Sequence, residues 1–116
     1  MLPSILIIEP RREIADALAD VITSASYTPL VRAHVEHLSD LGVTPAAIIV
    51  RIAFEGVSEP AHAALERLGP DRPPVIALAS LPDEVSEAQR LNCDVILRAP
   101  GGVSRLCDVL ARLVET

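Results

Sequence analysis

The chain has 116 residues, of which 50% are hydrophobic and only two, Tyr27 and Phe54, are aromatic. A single domain of this size buries roughly two-thirds of the surface that its unfolded chain exposes, so we expect an aliphatic core rather than wholesale disorder. The formal net charge of −6, with no basic run interleaved with aromatic residues, argues against direct nucleic-acid binding. All ten cationic residues are arginine, which excludes Schiff-base chemistry and any lysine-dependent phosphate grip.

The cysteines and the N-terminal stretch bear on the cellular compartment. Cys93 and Cys107 form a poor disulfide framework in a domain this apolar, and both are interpreted as small core residues that stay reduced. The opening MLPSILIIEP lacks the basic segment of a signal peptide, and no apolar run approaches the roughly 20 residues of a membrane span. We therefore expect a cytoplasmic domain with no membrane segment.

Five short apolar runs predict five β-strands. They lie at 4–9, 29–33, 46–51, 74–79 and 94–99. Four of the runs are continuous and rich in Ile and Val, which is typical of strands buried on both faces of a parallel sheet. The run at 29–33 is weaker and contains Pro29, which lacks the N–H that a central strand needs. We expect that strand at an edge of the sheet.

Amphipathic stretches predict a helix after each strand. Their apolar stripes span 14–25, 35–41, 61–68, 85–91 and 103–114. Ser80 and Asp83 resemble a capping box at the start of the fourth helix, and Glu84 is interpreted as a solvent-facing charge. The alternation of strand and helix predicts one α/β domain over residues 1–116, a doubly wound, three-layer αβα fold with the flavodoxin-like strand order 2-1-3-4-5.

In this strand order, a ligand or a reaction would lie where the carboxyl ends of the first and third strands meet. The first strand delivers Glu9-Pro10 to that point, and the third strand delivers Arg51. The fourth and fifth strands end nearby, at Ala79-Ser80 and Arg98-Ala99-Pro100.

At this point the chain resembles a response-regulator receiver domain of the CheY-like family. The stretch ILIIEPRREIADALADVITSASYTPLVRA is similar to a receiver's first strand, first helix and second strand. PAAIIVR and LNCDVILRAP fall where the third and fifth strands would be. The resemblance covers essentially the whole chain, but the signature residues are mostly missing, which implies a degenerate receiver, or pseudo-receiver.

The resemblance places each part of the phosphorylation site on this sequence. The degenerate positions are Glu9, Pro10, Arg51, Ala79, Ser80, Ala99 and Pro100. Of the two acids that would hold Mg²⁺, the second falls on Pro10, which has no side-chain ligand. The phospho-acceptor position falls on Arg51 and the lysine position on Ala99. The hydroxyl position falls on Ala79, although a slip of one residue would offer Ser80. The strand-five aromatic of the family is replaced by Ile96.

Arg51 changes the chemistry most, because a guanidinium is not a nucleophile and stays protonated at physiological pH. A unit positive charge about 4 Å from a divalent cation raises the energy by roughly 2 to 8 kcal/mol, for effective dielectric constants of about 80 and 20. We therefore expect no Mg²⁺, no cofactor, no catalytic residue and no enzymatic activity.

Two interpretations of Arg51 stay open. In the first, Arg51 forms a structural ion pair with Glu9, which lies at the same level on the neighbouring strand. In the second, Arg11, Arg51 and Arg98 form an anion-binding mouth for a ligand that carries a phosphate or a carboxylate.

Two further patterns bear on ligands and partners. His34 and His37 are three residues apart on the predicted second helix, but no third metal ligand is near them. The stripe on the last helix is wider than one sheet face requires, which favours either a contact surface or packing on both the sheet and a neighbouring helix. In receivers the face built from helix four, strand five and helix five is the usual contact surface. Candidate interface residues, including those of a homodimer, are Ile96, Leu106, Leu110 and Leu113.

The sequence predicts a non-catalytic, phosphorylation-independent receiver-like domain that acts through protein–protein interaction in a bacterial two-component-type pathway. The alternative is a sensor of small anions that uses the Arg51 site at the carboxyl edge of the sheet. A third hypothesis is a purely structural or dimerising module. Fold alone does not choose among them.

Overall fold

Five runs of aliphatic residues form one parallel sheet in the computed structural model, which describes residues 2–33, 35, 37–52, 65–69, 71–98 and 104–114. The strands are β1 (Ser4–Ile8), β2 (Thr28–Arg32), β3 (Ala47–Arg51), β4 (Val75–Ala79) and β5 (Val95–Arg98). Their order across the sheet is β2-β1-β3-β4-β5, and every neighbouring pair is parallel. The predicted strands and the flavodoxin-like order are confirmed, with each strand end within one residue of the prediction.

Helices cover both faces of this sheet, as the continuous apolar strands require. They are α1 (Arg12–Ser24), α2 (Pro82–Arg90) and α3 (Leu106–Val114), and residues 65–68 are also helical. Alternate strand residues such as Ile7 and Ile49 pack with α1 and α3 on one face. Their neighbours, such as Ile48 and Val50, pack with 65–68 and α2 on the other face. None of the described helices is long and apolar enough to cross a membrane.

The predicted second helix, at 35–41, is wrong. The structure places a 3-10 turn at Leu38–Leu41, and His37 before it is extended, with φ −138° and ψ 139°. Gly42 follows in the left-handed region at φ 75°, a conformation that ends a helix. Ser and Asp within the turn also favour local backbone bonds over an α-helix, so four residues remain, too few for a stable one. For the predicted third helix, residues 61–64 lie outside the described residues.

The edge position of β2 is confirmed, and its outer side is poorly suited to pairing with another strand. The Thr28 N–H donates to the Pro3 carbonyl at 2.9 Å, on the side of β1, so the next residue, Pro29, faces the open edge. Val31 faces the same edge, and its carbonyl accepts a hydrogen bond from Nη1 of Arg32 at 2.7 Å. At this edge Pro29 has no N–H to donate, and Arg32 already occupies the Val31 carbonyl. Another strand would need both groups to pair with β2.

Candidate functional site

The carboxyl ends of β1 and β3 meet in an ion pair between Glu9 and Arg51. The register pairs Ile8 with Val50, so the two charged residues that follow lie at the same level. Nε of Arg51 donates to Oε2 of Glu9 at 2.6 Å, and Nη2 donates to Oε1 at 3.0 Å. This bidentate geometry confirms the predicted ion pair and is the strong form of an arginine–carboxylate contact.

Glu9 is 2% exposed, and its carboxylate is fully engaged by the surrounding chain. Besides the two bonds from Arg51, Oε1 accepts the backbone N–H of Arg11 at 2.9 Å, at the start of α1. A buried carboxylate is tolerated only when charge and hydrogen bonds compensate its lost hydration. Glu9 therefore joins the ends of β1 and β3 to the first turn of α1.

Arg51 is held as a permanent cation. The hydrogen bond with Glu9 raises the pKa of Arg51 above the ordinary guanidinium value, although burial acts to lower it. The negative charges of Glu9 and Glu84 raise this pKa further. The site therefore presents no lone pair at Arg51 with which to attack a phosphoryl donor or to bind a metal.

Glu84 is the third charged residue of the site, and sequence reasoning missed it. The residue is 7% exposed, so its interpretation as a solvent-facing charge is wrong. Its Oε1 accepts the backbone N–H of Ser80 at 2.8 Å and that of Leu81 at 3.1 Å. The predicted capping box is shifted by one residue, since Leu81 is the N-cap of α2 and Glu84, not Asp83, closes the first turn. The signal was available, because a glutamate three residues after an N-cap commonly binds that residue's N–H.

The other positions that the receiver resemblance assigns to a phosphorylation site contribute little chemistry. Ala79 ends β4 and is 1% exposed, with only a methyl group to offer. Pro10 and Ser80 are exposed. Nη2 of Arg98, also exposed, reaches the Ser80 carbonyl at 3.5 Å. Ala99 and Pro100 lie outside the described residues.

The geometry gives little support to an anion-binding mouth. The guanidinium of Arg51 is committed to Glu9, and Arg11 and Arg98 are both exposed. The buried part of the site carries two carboxylates, Glu9 and Glu84, for one guanidinium, so its charge repels anions.

The same residues do not fit the Mg²⁺ site that the receiver resemblance implies. Mg²⁺ needs free carboxylate oxygens, and those of Glu9 already accept hydrogen bonds from Arg51 and Arg11. The described part of the chain contains no group of three His, Cys, Asp or Glu side chains placed to hold a metal ion. His37 lies outside the 3-10 turn in extended backbone, and His34 is outside the described residues, so the predicted helical pair is not seen.

Two of the four predicted interface residues are core residues. Leu106 and Leu110 of α3 are each 0% exposed and pack with α1 and the sheet. They cannot contact a partner while the domain stays folded, so this part of the prediction is wrong. The broad stripe on α3 reflects packing on the sheet and on α1. Ile96 and Leu113 are partly exposed and stay available.

No protein-family model matches this sequence, and neither does any curated protein. Solved structures that match in fold include a response-regulator receiver protein from Burkholderia phymatum, with a TM-score of 0.76 at 13% identity over 97% of this chain and 95% of that one. The receiver domain of a histidine kinase from Syntrophus aciditrophicus gives a TM-score of 0.74 at 22% identity, covering 97% and 90%. The CheY-like chain in a complex of CheY6 with the P1 domain of CheA3 from R. sphaeroides gives 0.68 at 15%, covering 98% of each. These likenesses show that the chain has the receiver fold.

Proposed function

We propose that residues 1–116 form a single, non-catalytic receiver-like domain that signals through protein contacts and does not depend on phosphorylation. Its setting is the cytoplasm of a bacterium, within a two-component-type pathway. The observation that carries the proposal is the bidentate Glu9–Arg51 ion pair at the carboxyl edge of the sheet.

The ion pair supports the proposal because it removes each part of the phosphotransfer chemistry in turn. A phosphoryl acceptor must offer a nucleophilic oxygen, and Arg51 offers only N–H donors. A metal must find at least one free carboxylate, and Glu9 is already bound by Arg51 and by the start of α1. What is left of a receiver is its fold and its surfaces.

Protein contacts are the remaining route of signalling. One of the fold neighbours, CheY6, was solved in complex with the P1 domain of CheA3, which makes a protein domain a reasonable class of partner for this chain. A homodimer through the edge formed by α2, β5 and α3 is a second possibility, and Ile96 and Leu113 are the candidates that it can use. The net charge of −6 disfavours nucleic acid as a direct partner.

The test is incubation of the full chain with Mg²⁺ and a small phosphodonor such as acetyl phosphate, followed by intact-mass measurement. A receiver with its acceptor carboxylate in place, treated in the same way, provides the positive control. We expect the control to gain the mass of one phosphoryl group and this chain to gain none. A stoichiometric adduct on this chain would contradict the proposed function.

A further inference from the structure

The loop that leaves β4 is held by a carboxylate from the helix that follows. Glu84 reaches back from the first turn of α2, and its Oε1 accepts the N–H groups of Ser80 and Leu81 at 2.8 and 3.1 Å. Leu81, the N-cap residue, has no side-chain acceptor of its own, and Ser80 makes no side-chain cap. Arg98 also reaches the Ser80 carbonyl, at 3.5 Å, but it is exposed, so Glu84 is the buried side chain that holds residues 80 and 81.

Arg51 lies beside this loop. The register pairs Arg51 with Leu78, and the Ile52 N–H donates to the Leu78 carbonyl at 2.9 Å, which brings the end of β3 against the end of β4. Glu84 is close enough for its charge to raise the pKa of Arg51. Arg51 therefore pairs with one buried carboxylate, Glu9, and is stabilised as a cation by the charge of a second, Glu84.

We propose that Glu84 acts as a resident anion: from within the chain, it occupies the position where the amides of Ser80 and Leu81 converge, and it thereby fixes the loop at 79–81 in one conformation. The inference deepens the proposed function, on which it rests, because a loop held by the chain's own carboxylate needs no added phosphoryl group to define it.

The neighbouring acid, Asp83, provides a matched control. It lies in the same turn of α2 and gains the same benefit from the helix N-terminus, but it is exposed and is not the carboxylate that binds the Ser80 and Leu81 amides. If only the helix dipole mattered, removing either acid would have the same effect on the Ser80 and Leu81 amides. If Glu84 is a resident anion, only its removal affects them.

The experiment compares wild type, Glu84→Ala and Asp83→Ala by amide hydrogen exchange. In Glu84→Ala, we expect the Ser80 and Leu81 amides to exchange at least about tenfold faster, because both residues are exposed and their N–H groups lose the carboxylate that accepts them. Asp83→Ala should leave both rates unchanged. Unchanged protection of both amides in Glu84→Ala would overturn the inference.

Chemical rescue tests the anion directly. Sodium formate should raise the Tm of Glu84→Ala saturably and restore slow exchange at Ser80 and Leu81, whereas sodium chloride at equal ionic strength should not. Formate should have no such effect on wild type, where Glu84 fills the place. Equal stabilisation of wild type and variant, or no rescue at any concentration, would overturn the inference.

A milder variant keeps the test valid if Glu84→Ala does not fold. Glu84→Gln retains an oxygen acceptor and the shape of the side chain but removes the charge, so the Ser80 and Leu81 amide resonances should shift and their exchange should accelerate relative to wild type. Asp83→Asn should leave both amides unchanged, and unchanged amides in Glu84→Gln would contradict the inference. A phosphoryl adduct on wild type would sink the proposed function and leave this result untouched, so the two failures are distinguishable.

Discussion

Arg51 and Glu9 form the contact whose removal should cost the domain most. Truncation by Arg51→Ala leaves the Glu9 carboxylate, 2% exposed, without its counter-charge. Breaking a buried pair in this way typically costs about 3–5 kcal/mol, and we expect the lower end because the Arg51 side chain is 21% exposed. Urea denaturation measures the loss in free energy of unfolding.

The control is Arg12→Ala. Arg12 pairs with Asp16 at 3.9 Å, but its side chain is 94% exposed, so the expected cost is below about 1 kcal/mol. Adding Glu9→Gln to Arg51→Ala should recover part of the stability, since it removes the uncompensated charge. Equal costs for Arg51→Ala and Arg12→Ala would contradict a stabilising role for the Glu9 contact.

The two thiols should differ in reactivity. Burial raises the pKa of Cys93 from 9.0 to about 11, whereas Cys107 is exposed, so its interpretation as a core residue is wrong. A raised thiol pKa means that the folded state favours the protonated form, so this stabilisation is complete below about pH 9 and is lost as the pH rises through about 11. At pH 8 the thiolate fraction of Cys93 should be about a hundredfold below that of an ordinary thiol.

Iodoacetamide labelling with peptide mapping measures this difference. We expect Cys107 to be alkylated first at pH 8, and Cys93 to react at a comparable rate only after unfolding in urea. Comparable rates for both cysteines in the native protein would show that Cys93 is not protected.

At the scale of single residues, sequence reasoning succeeded where the sheet dictates the neighbour. Adjacent parallel strands that end together bring Glu9 and Arg51 to one level, so their pairing follows from strand order. It failed for Leu110, because a wide apolar stripe does not reveal which neighbour covers it, and packing between distant elements decides its burial. It failed for Glu84 because the start of α2 was placed one residue too early, which hid the local bonds of Glu84 with Ser80 and Leu81.

At the scale of elements, the strands were predictable because four of them are continuous apolar runs, a pattern that fits a sheet covered on both faces. The structure of the stretch 35–41 was not predictable in this way. Its apolar spacing fits an α-helix, but Gly42 and the polar residues before it limit the structure to a 3-10 turn. Residue spacing indicates a face, but the length of a helix depends on its end signals.

The side chain of Arg72 binds backbone carbonyl groups of two helical segments. Nη1 donates to the Leu65 carbonyl at 3.0 Å, and Nη2 donates to the carbonyls of Leu91 and Asn92, just beyond α2, so one side chain ties two helices together. A hydrogen bond to a charged group typically contributes about 1.5–3 kcal/mol to stability. Because the contributions of bonds from one side chain do not simply add, we expect Arg72→Ala to lower the free energy of unfolding by about 2–3 kcal/mol.

Arg67→Ala provides the comparison for Arg72. Nη1 of Arg67 makes one bond, to the Val35 carbonyl at 3.2 Å, and its loss should cost less, about 1 kcal/mol. Chemical denaturation of both variants gives the ranking. A larger loss for Arg67→Ala than for Arg72→Ala would show that the carbonyls near α2 find other partners.

At the scale of the whole molecule, different residues determine the fold and the chemistry of the site. The receiver fold is carried by the period and order of apolar runs, and the matched structures share only 13–22% of their residues with this chain. The chemistry of the site depends on a few strand ends, and one of them carries an arginine that is paired with Glu9. A likeness in fold therefore leaves the mode of signalling to be argued from the site.

Self-association is also decided at this scale. Leu113→Arg changes a partly exposed position on α3. It should weaken any dimer formed through the edge of α2, β5 and α3 while leaving the fold intact. Leu110→Arg places a charge in a fully buried position and should unfold the domain. Sedimentation against concentration, with circular dichroism for the fold, separates the two effects. A folded, unchanged dimer in Leu113→Arg would exclude this edge as the interface.

Magnesium titration of the wild-type chain, followed by amide NMR, tests most directly whether Arg51 and Glu9 have replaced the metal and phosphoryl chemistry of the site. At millimolar Mg²⁺ we predict no saturable shift at Glu9, Arg11, Ile52 or Ser80, because the Glu9 oxygens are held by Arg51 and by α1. Saturable shifts clustered on those amides would show that a divalent ion displaces the arginine, and would contradict the central claim.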